Sequence, residues 1–207
     1  MDKKVIITIA RQYGSGGKTI GIMLAEELGI PYYHRDIIKL ASEDSGIAES
    51  LFNQVDEFRK KSIRNIFRKQ TYNPTLLPPE HEHFTSQDNL YNYQAKIIKE
   101  LAAEGSCVFI GRCADHILKD RDDVLKVFIY ADEDFCLEKA HERNSMNDYE
   151  MRNYIKKVDE FRADFYKYYT GKEWTDAKNY DLCLNTGVLG FEKCVQIIKD
   201  YIDIRFD

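Results

Sequence analysis

The sequence predicts an α/β domain built on a parallel sheet with helices on both faces. Three observations predict it. Short apolar, β-branched runs alternate along the chain with segments of helical periodicity. The apolar runs are continuous rather than alternating, as in strands buried on both faces. A glycine cluster sits where the first strand gives way to the first helix.

The elements follow in order. Val5-Ile6-Ile7-Thr8-Ile9 reads as a buried strand running into the glycines. Residues 18–28 carry helical spacing in Ile20, Met23, Leu24 and Leu28, and Gly29 is a natural stop. Pro31-Tyr32-Tyr33 is a short strand, and residues 36–44 and 48–68 are helices, the second rich in charge. Three of the four prolines, Pro74, Pro78 and Pro79, fall in an irregular stretch over 72–83, which reads as a surface loop. Residues 86–104 form a helix ending before Gly105; Cys107-Val108-Phe109-Ile110 is a strand closed by Gly111, and 125–130 is another. Helices over 133–143 and 147–169, a last strand over 181–185 and a last helix over 190–204 complete the chain. The region 36–95 is long for one crossover and reads as a helical lobe over one edge of the sheet.

Composition narrows the class. At 207 residues the chain suits one domain with room for an inserted lobe, on a prior of about 150 residues per domain. Charged residues make up 31% and the net charge is −5, which argues against a nucleic-acid polymer as partner. No run approaches the roughly 18 apolar residues of a membrane span, and the N-terminus lacks a signal core, so a cytoplasmic location is expected. Five cysteines include no Cys-x-x-Cys pair, so free thiols and no structural metal are expected. His81 and His83 lack a third ligand in view, which favours solvated side chains over a metal site. The 14 Tyr and 11 Phe are an unusual load, concentrated at Tyr91, Tyr93, Tyr149, Tyr154, Phe161, Phe165, Tyr166, Tyr168 and Tyr169. They are expected to pack helices against the sheet, a minority stacking on a base.

The chemistry concentrates in Gly14, Ser15, Gly16, Gly17, Lys18 and Thr19. Glycines let successive N–H groups converge on an anion, the helix N-terminus adds partial positive charge, lysine neutralises phosphate oxygens, and a hydroxyl in the first turn reaches Mg²⁺. Two registers are open. Read as Gly-x-x-x-x-Gly-Lys-Ser/Thr, the end fits but Gln12 takes the place of the first glycine. Counted from the strand end as Gly-x-x-Gly-x-Gly-Lys-Gly-Thr, Gly14, Ser15 and Gly16 fall in place, Gly17 takes the lysine position and Lys18 comes one residue late. The second register is preferred because it keeps the distance between strand and helix.

Residues 7–21 resemble the loop of the cytidylate kinase-like family, which typically shows Arg-Glu-Phe-Gly-Ser-Gly-Gly-Arg/Lys there. Residues 28–38 (Leu28-Gly29-Ile30-Pro31 onward), 108–118 (with Gly111-Arg112 and Ala114-Asp115), 157–162, 168–171 and 180–186 are similar to further family segments. The resemblance covers nearly the whole chain and is weakest over 70–84. It implies a P-loop NTPase three-layer sandwich: one domain over 1–207, with a five-stranded parallel sheet in order 2-3-1-4-5, a helical monophosphate-binding lobe over 36–95 and a lid over 143–170. It also implies phosphoryl transfer from Mg-ATP to a nucleoside monophosphate, CMP or dCMP first, with Thr19 toward Mg²⁺.

Phosphoryl transfer needs positioning and positive charge rather than covalent work, so arginines are the residues to find. Arg35 and Arg112 follow strands whose carboxyl ends open into the ligand crevice and suit an acceptor phosphate. The competing roles are a helix-start pair with Asp36 and an ion pair with Asp115. Asp36 and Asp115 are themselves candidate acceptor or metal-shell groups. His34 stands where relatives often carry Asp, which touches acceptor choice, and its plain alternative is a strand-end histidine. Arg143, Arg152 and Arg162 are the lid candidates; Asp159 and Arg162, spaced i, i+3, match a family motif. Asn185 and Thr186 follow the last strand and border the adenine or merely mark a turn. Two alternatives stand beside the kinase reading: a kinase for another small metabolite, and a nucleotide-binding regulator with little turnover. The partners expected are ATP and a small phosphorylated acceptor, in a monomer or homodimer.

Overall fold

A computed structural model describes residues 4–56 and 72–206. Five strands form one sheet: β1 (Ile6–Arg11), β2 (Tyr32–Tyr33), β3 (Cys107–Ile110), β4 (Val124–Tyr130) and β5 (Leu182–Asn185). Their order is β2-β3-β1-β4-β5 and every pairing is parallel. This is the sheet the sequence resemblance implies. The chain steps from β1 outward to β2 and β3 on one side, then to β4 and β5 on the other. A ligand crevice opens at such a reversal, beyond the carboxyl ends of the central strands.

The helices are α1 (Gly17–Leu28), α2 (Asp36–Ser45), α3 (Glu49–Asp56), α4 (Gln87–Glu104), α5 (Ala114–Ile117), α6 (Glu133–His141), α7 (Asp148–Thr170), α8 (Thr186–Leu189) and α9 (Phe191–Phe206), with a 3₁₀ turn at Ala177–Asn179. Of the helix expected over 48–68, Glu49–Asp56 forms α3; residues 57–71 lie outside the described residues. Local chemistry sets the ends. Gly29 closes α1 in the left-handed region, Ser86 caps α4 by accepting from Asn89 N, and Asn147 with Glu150 forms a reciprocal capping box on α7.

Strand alternation makes the layers. Ile7 and Ile9 of β1 pack with Ile20 and Leu24 of α1 and Val195, Ile198 and Ile202 of α9. Ile6 points the other way, into Ile37 and Ile38 of α2, Phe52 of α3 and Ile98 of α4. Two buried clusters on opposite faces of one sheet give three layers. No helix among the described residues is long and apolar enough to cross a membrane.

A third cluster accounts for much of the aromatic load. Tyr91, Phe128, Tyr166, Tyr169 and Trp174 are buried together, with Tyr72, Phe165, Tyr168 and Tyr180 against them. Tyr91 and Tyr169 stack with centroids 3.7 Å apart, joining α4 to α7. Tyr149 does not share in this packing; it is 78% exposed at the start of α7. The proline-rich stretch is held from below: the buried Asn89 side chain bonds Leu77 N and O and Phe84 O, and Asn92 bonds Asn73 O and Thr75 O.

Candidate active site

Residues 12–16 connect β1 to α1 and form the floor of the cleft. Gly14 and Gly16 have φ values of 80° and 79°, with one residue between them. A Cβ on Gly14 would lie 2.3 Å from the carbonyl oxygen of Cys136 in α6, so both backbone and space demand glycine there. The loop is fastened from beneath. Ser15 is fully buried, with Oγ 2.9 Å from Gln12 O and 3.2 Å from Ile129 O. Thr186 Oγ1 lies 2.7 Å from Ser15 O and 3.2 Å from Tyr130 O. Gln12 Oε1 accepts from Ala131 N at 3.2 Å. These bonds leave the N-terminus of α1 facing the cleft, and no acidic residue sits in its first turn. An anion is favoured at such an end.

The structure distributes the sequence-predicted residues unevenly. A cleft of about 1040 Å³ is lined by Gly14, Gly16, Gly17, Lys18, Thr19, Arg35, Arg112, Asp115, Arg143 and Arg162 from the predicted set. Lys18 is exposed at the mouth and Thr19 is half-buried. Ser15, Asn185 and Thr186 stand behind this lining. Thr186 spends its hydroxyl on the loop, and the Asn185 side chain accepts from Gly187 N to cap α8. Asp36 is exposed, with Oδ2 3.4 Å from His34 N. Arg152 lies outside the lining set; it bonds Glu133 and Asp134 of α6, both exposed.

Arg112 is displayed by an unusual turn. Gly111, Arg112 and Cys113 have successive φ values of 83°, 61° and 54°. The left-handed region costs a non-glycine residue about 1–2 kcal/mol. The surroundings hold it: Arg112 Nε donates to His34 O at 2.8 Å, Arg112 Nη1 donates to the buried Gln94, and Cys113 is buried at the start of α5. Such strain concentrates at functional positions. Arg112 thus pairs with α4 and the end of β2, while Asp115 accepts from Tyr166 O–H at 2.6 Å. Burial raises the Asp115 carboxyl above the ordinary carboxylate range, although the Tyr166 bond pulls the other way.

Helix α7 reaches the loop through Asp159 and Arg162. The Asp159 carboxylate accepts from Tyr13 N at 2.9 Å, and Arg162 Nη1 donates to Asp159 at 3.1 Å and to Arg11 O at 3.0 Å. Burial raises the Asp159 carboxyl; Arg162 and the Tyr13 amide oppose the shift. Arg143, just past α6, is exposed and also lines the cleft.

The same lining includes His34, whose place after β2 touches acceptor choice in the sequence, and Arg11 and Lys139, which the motif reading left unassigned. Arg11 ends β1, the position relative to the crevice that already marked Arg35 and Arg112. Arg11 Nη2 lies 3.3 Å from His34 Nε2. A guanidinium only donates, so Nε2 is the accepting atom of this contact. Among the described residues the lining carries seven basic residues (Arg11, Lys18, Arg35, Arg112, Lys139, Arg143, Arg162) against two acidic ones (Asp115, Glu142). In a chain of net charge −5 this is a local reversal of sign, suited to several phosphate groups. Among the described residues no group of three or more His, Cys, Asp and Glu side chains gathers as a metal cage.

Comparisons with known proteins agree with this geometry. The family model of the cytidylate kinase-like family matches residues 6–188. A cytidylate kinase of Methanopyrus kandleri is 26% identical over 208 residues, covering 96% of this chain and 93% of the relative. The crystal structure of an uncharacterized protein from Eubacterium ventriosum superposes with a TM-score of 0.71 at 25% identity, over 97% of this chain and 99% of that one. A shikimate kinase from Bacteroides thetaiotaomicron shares the fold, with a TM-score of 0.57 at 14% identity over 97% of this chain and 99% of that one.

Proposed function

The chain belongs to the cytidylate kinase-like family, and from that premise we propose that it moves the γ-phosphoryl group of Mg-ATP to a nucleoside monophosphate, CMP or dCMP. The observation that carries this reading is the glycine loop and the reversed charge in one cleft. As an ATP-dependent phosphotransferase the protein needs two anions side by side, with water kept out between them.

The amides of residues 14–19 and Lys18 hold the ATP phosphates. Arg35 and Arg112 hold the acceptor phosphate, Arg112 as a preset fork. Arg143 and Arg162 approach from the 143–170 lid, with Asp159 positioning Arg162 against the loop. An acceptor phosphate oxygen forms the new bond to Pγ as the bond from Pγ to the β,γ-bridging oxygen breaks, and the electron pair leaves on ADP. The acceptor oxygen is already ionised, so no general base is required. Thr19 offers a hydroxyl in the cleft, and Mg²⁺ needs few protein oxygens beside substrate phosphates and water. Thr19 would hold the ion, which neutralises phosphate charge when bound.

The test is ADP production from Mg-ATP with CMP, dCMP, UMP, AMP, GMP and simple alcohols. Turnover is expected to be highest with CMP or dCMP. Absence of acceptor-dependent ADP across the panel, with ATP binding intact, would favour the regulator instead. That second reading rests on Gly17, which stands at the lysine position of the preferred register.

A further inference from the structure

We propose that Arg11 is the cation on the transferred phosphoryl group, in place of the lysine that glycine loops of this kind carry at the start of their helix. The inference rests on the phosphotransferase reading above and names the residue that reading leaves missing.

The backbone fixes the register. Gly14 and Gly16 are the two left-handed glycines, spaced Gly-x-Gly, and α1 begins at Gly17. Gly17 is therefore the residue from which the loop lysine would project. Lys18 does not replace it, because consecutive helical residues point about 100° apart. Counting back three residues from Gly14, Arg11 occupies the position where the motif has its first glycine.

Two departures from the motif, a side chain at 11 and none at 17, are one event in space. A Cβ on Gly17 would lie 2.5 Å from Arg11 Cβ and 3.0 Å from Arg11 Cγ. The Arg11 stem fills the origin of the missing lysine, so the chain accommodates one of these side chains and not both. From there Arg11 runs across the floor of the cleft. Its guanidinium lies against Gly111, where a Cβ would stand 2.1 Å from Nη1, and it reaches His34. Arg162 holds the Arg11 carbonyl. The charged group thus spans from the ATP loop to the β2 and β3 ends that carry Arg35 and Arg112. That is the path of a phosphoryl group between donor and acceptor.

The experiment compares wild type, Arg11→Met, Arg11→Lys, Arg11→Gly, and Arg11→Gly combined with Gly17→Lys. ATP and ADP affinities are measured by titration calorimetry and ADP release is followed with CMP. Arg11→Met is expected to lower turnover about 10²- to 10³-fold, the scale of losing one charge-stabilising donor. It should weaken ATP at least tenfold more than ADP, because the contact is to the terminal phosphoryl. Arg11→Lys should retain part of the rate. Gly17→Lys added to Arg11→Gly should recover at least tenfold over Arg11→Gly alone, by returning the cation to the helix start.

Equal losses for ATP and ADP in Arg11→Met overturn the proposal, as does a turnover change below twofold. If Arg11→Met does not fold, the swap decides: a folded double variant no better than Arg11→Gly overturns it. If wild type binds ATP yet produces no acceptor-dependent ADP, the kinase reading fails while the ATP-against-ADP difference still judges Arg11. If wild type binds neither nucleotide, both fall.

Discussion

Substituting Gly14, Gly16 and Gly29 separately by Ala resolves how the loop is built. All three sit in the left-handed region, at φ 80°, 79° and 65°. Each substitution therefore carries a backbone cost of about 1–2 kcal/mol. They differ in what a methyl group meets. At Gly29 there is nothing within 4 Å, so the backbone cost stands alone. At Gly16 the neighbour is the tip of the half-buried Phe191 ring, 2.3 Å away, which can turn aside. At Gly14 it is the Cys136 carbonyl, 2.3 Å away and fixed within α6. Overpacking against a fixed element adds roughly 1–3 kcal/mol. Gly14→Ala should thus cost about 2–5 kcal/mol and Gly29→Ala about 1–2. For a domain of this size these become losses of roughly 4–20 °C and 2–8 °C in Tm. Thermal unfolding followed by circular dichroism reads the stability ladder, and calorimetric titration of ATP reads the site. Gly29→Ala should leave ATP affinity unchanged, whereas Gly14→Ala should weaken it by tilting the loop from α6. Equal Tm losses for Gly14→Ala and Gly29→Ala would refute the claim that α6 backs the loop.

Thr186→Val keeps the shape of a fully buried side chain but removes the hydroxyl beside Ser15 O. Leaving that carbonyl unbonded should cost about 1–3 kcal/mol, with Thr186→Ser restoring most of the Tm; an unchanged Tm in the Val variant would show that the bond does not brace the loop. Asp115 has its carboxyl pKa raised by burial, so the folded protein binds more protons than the unfolded chain between 3.8 and the folded value. Its contribution is fully present below 3.8 and is lost as pH rises through the folded pKa. Asp115→Asn should flatten the fall of Tm across the weakly acid range and leave Tm at pH 7 equal or higher, with Asp159 supplying the remaining slope; a steeper fall contradicts this sign. Arg162→Ala should lower the rate with both substrates saturating about 10²-fold, and a normal rate would remove Arg162 from the phosphoryl site.

The sheet was legible because its strands are continuous apolar runs, and the phosphate loop because glycine, lysine and threonine cluster where strand meets helix. The short elements α5, α8 and the 3₁₀ turn were not, since three or four residues carry no period. Other misses share one cause: the deciding partner is distant in sequence. The turn through Arg112 and Cys113 holds non-glycine residues in the left-handed region, and bonds to His34 and Gln94, supplied by other elements, steady it. An ion pair with Asp115, three residues away, was the competing role for Arg112. Asp115 binds Tyr166, 51 residues on, because α7 lays that hydroxyl over α5. Arg11 hid for the same reason. In one dimension it is a residue beside a glycine motif with a misplaced lysine. In three, the empty side of Gly17 and the stem of Arg11 are the same space. The net charge misleads in a related way: −5 averages over a surface whose basic members, drawn from the ends of β1, β2, β3 and α6, the start of α1 and the middle of α7, meet only when the fold brings them together. A function that depends on convergent charge can therefore be invisible in composition and still be written in the order of the strands.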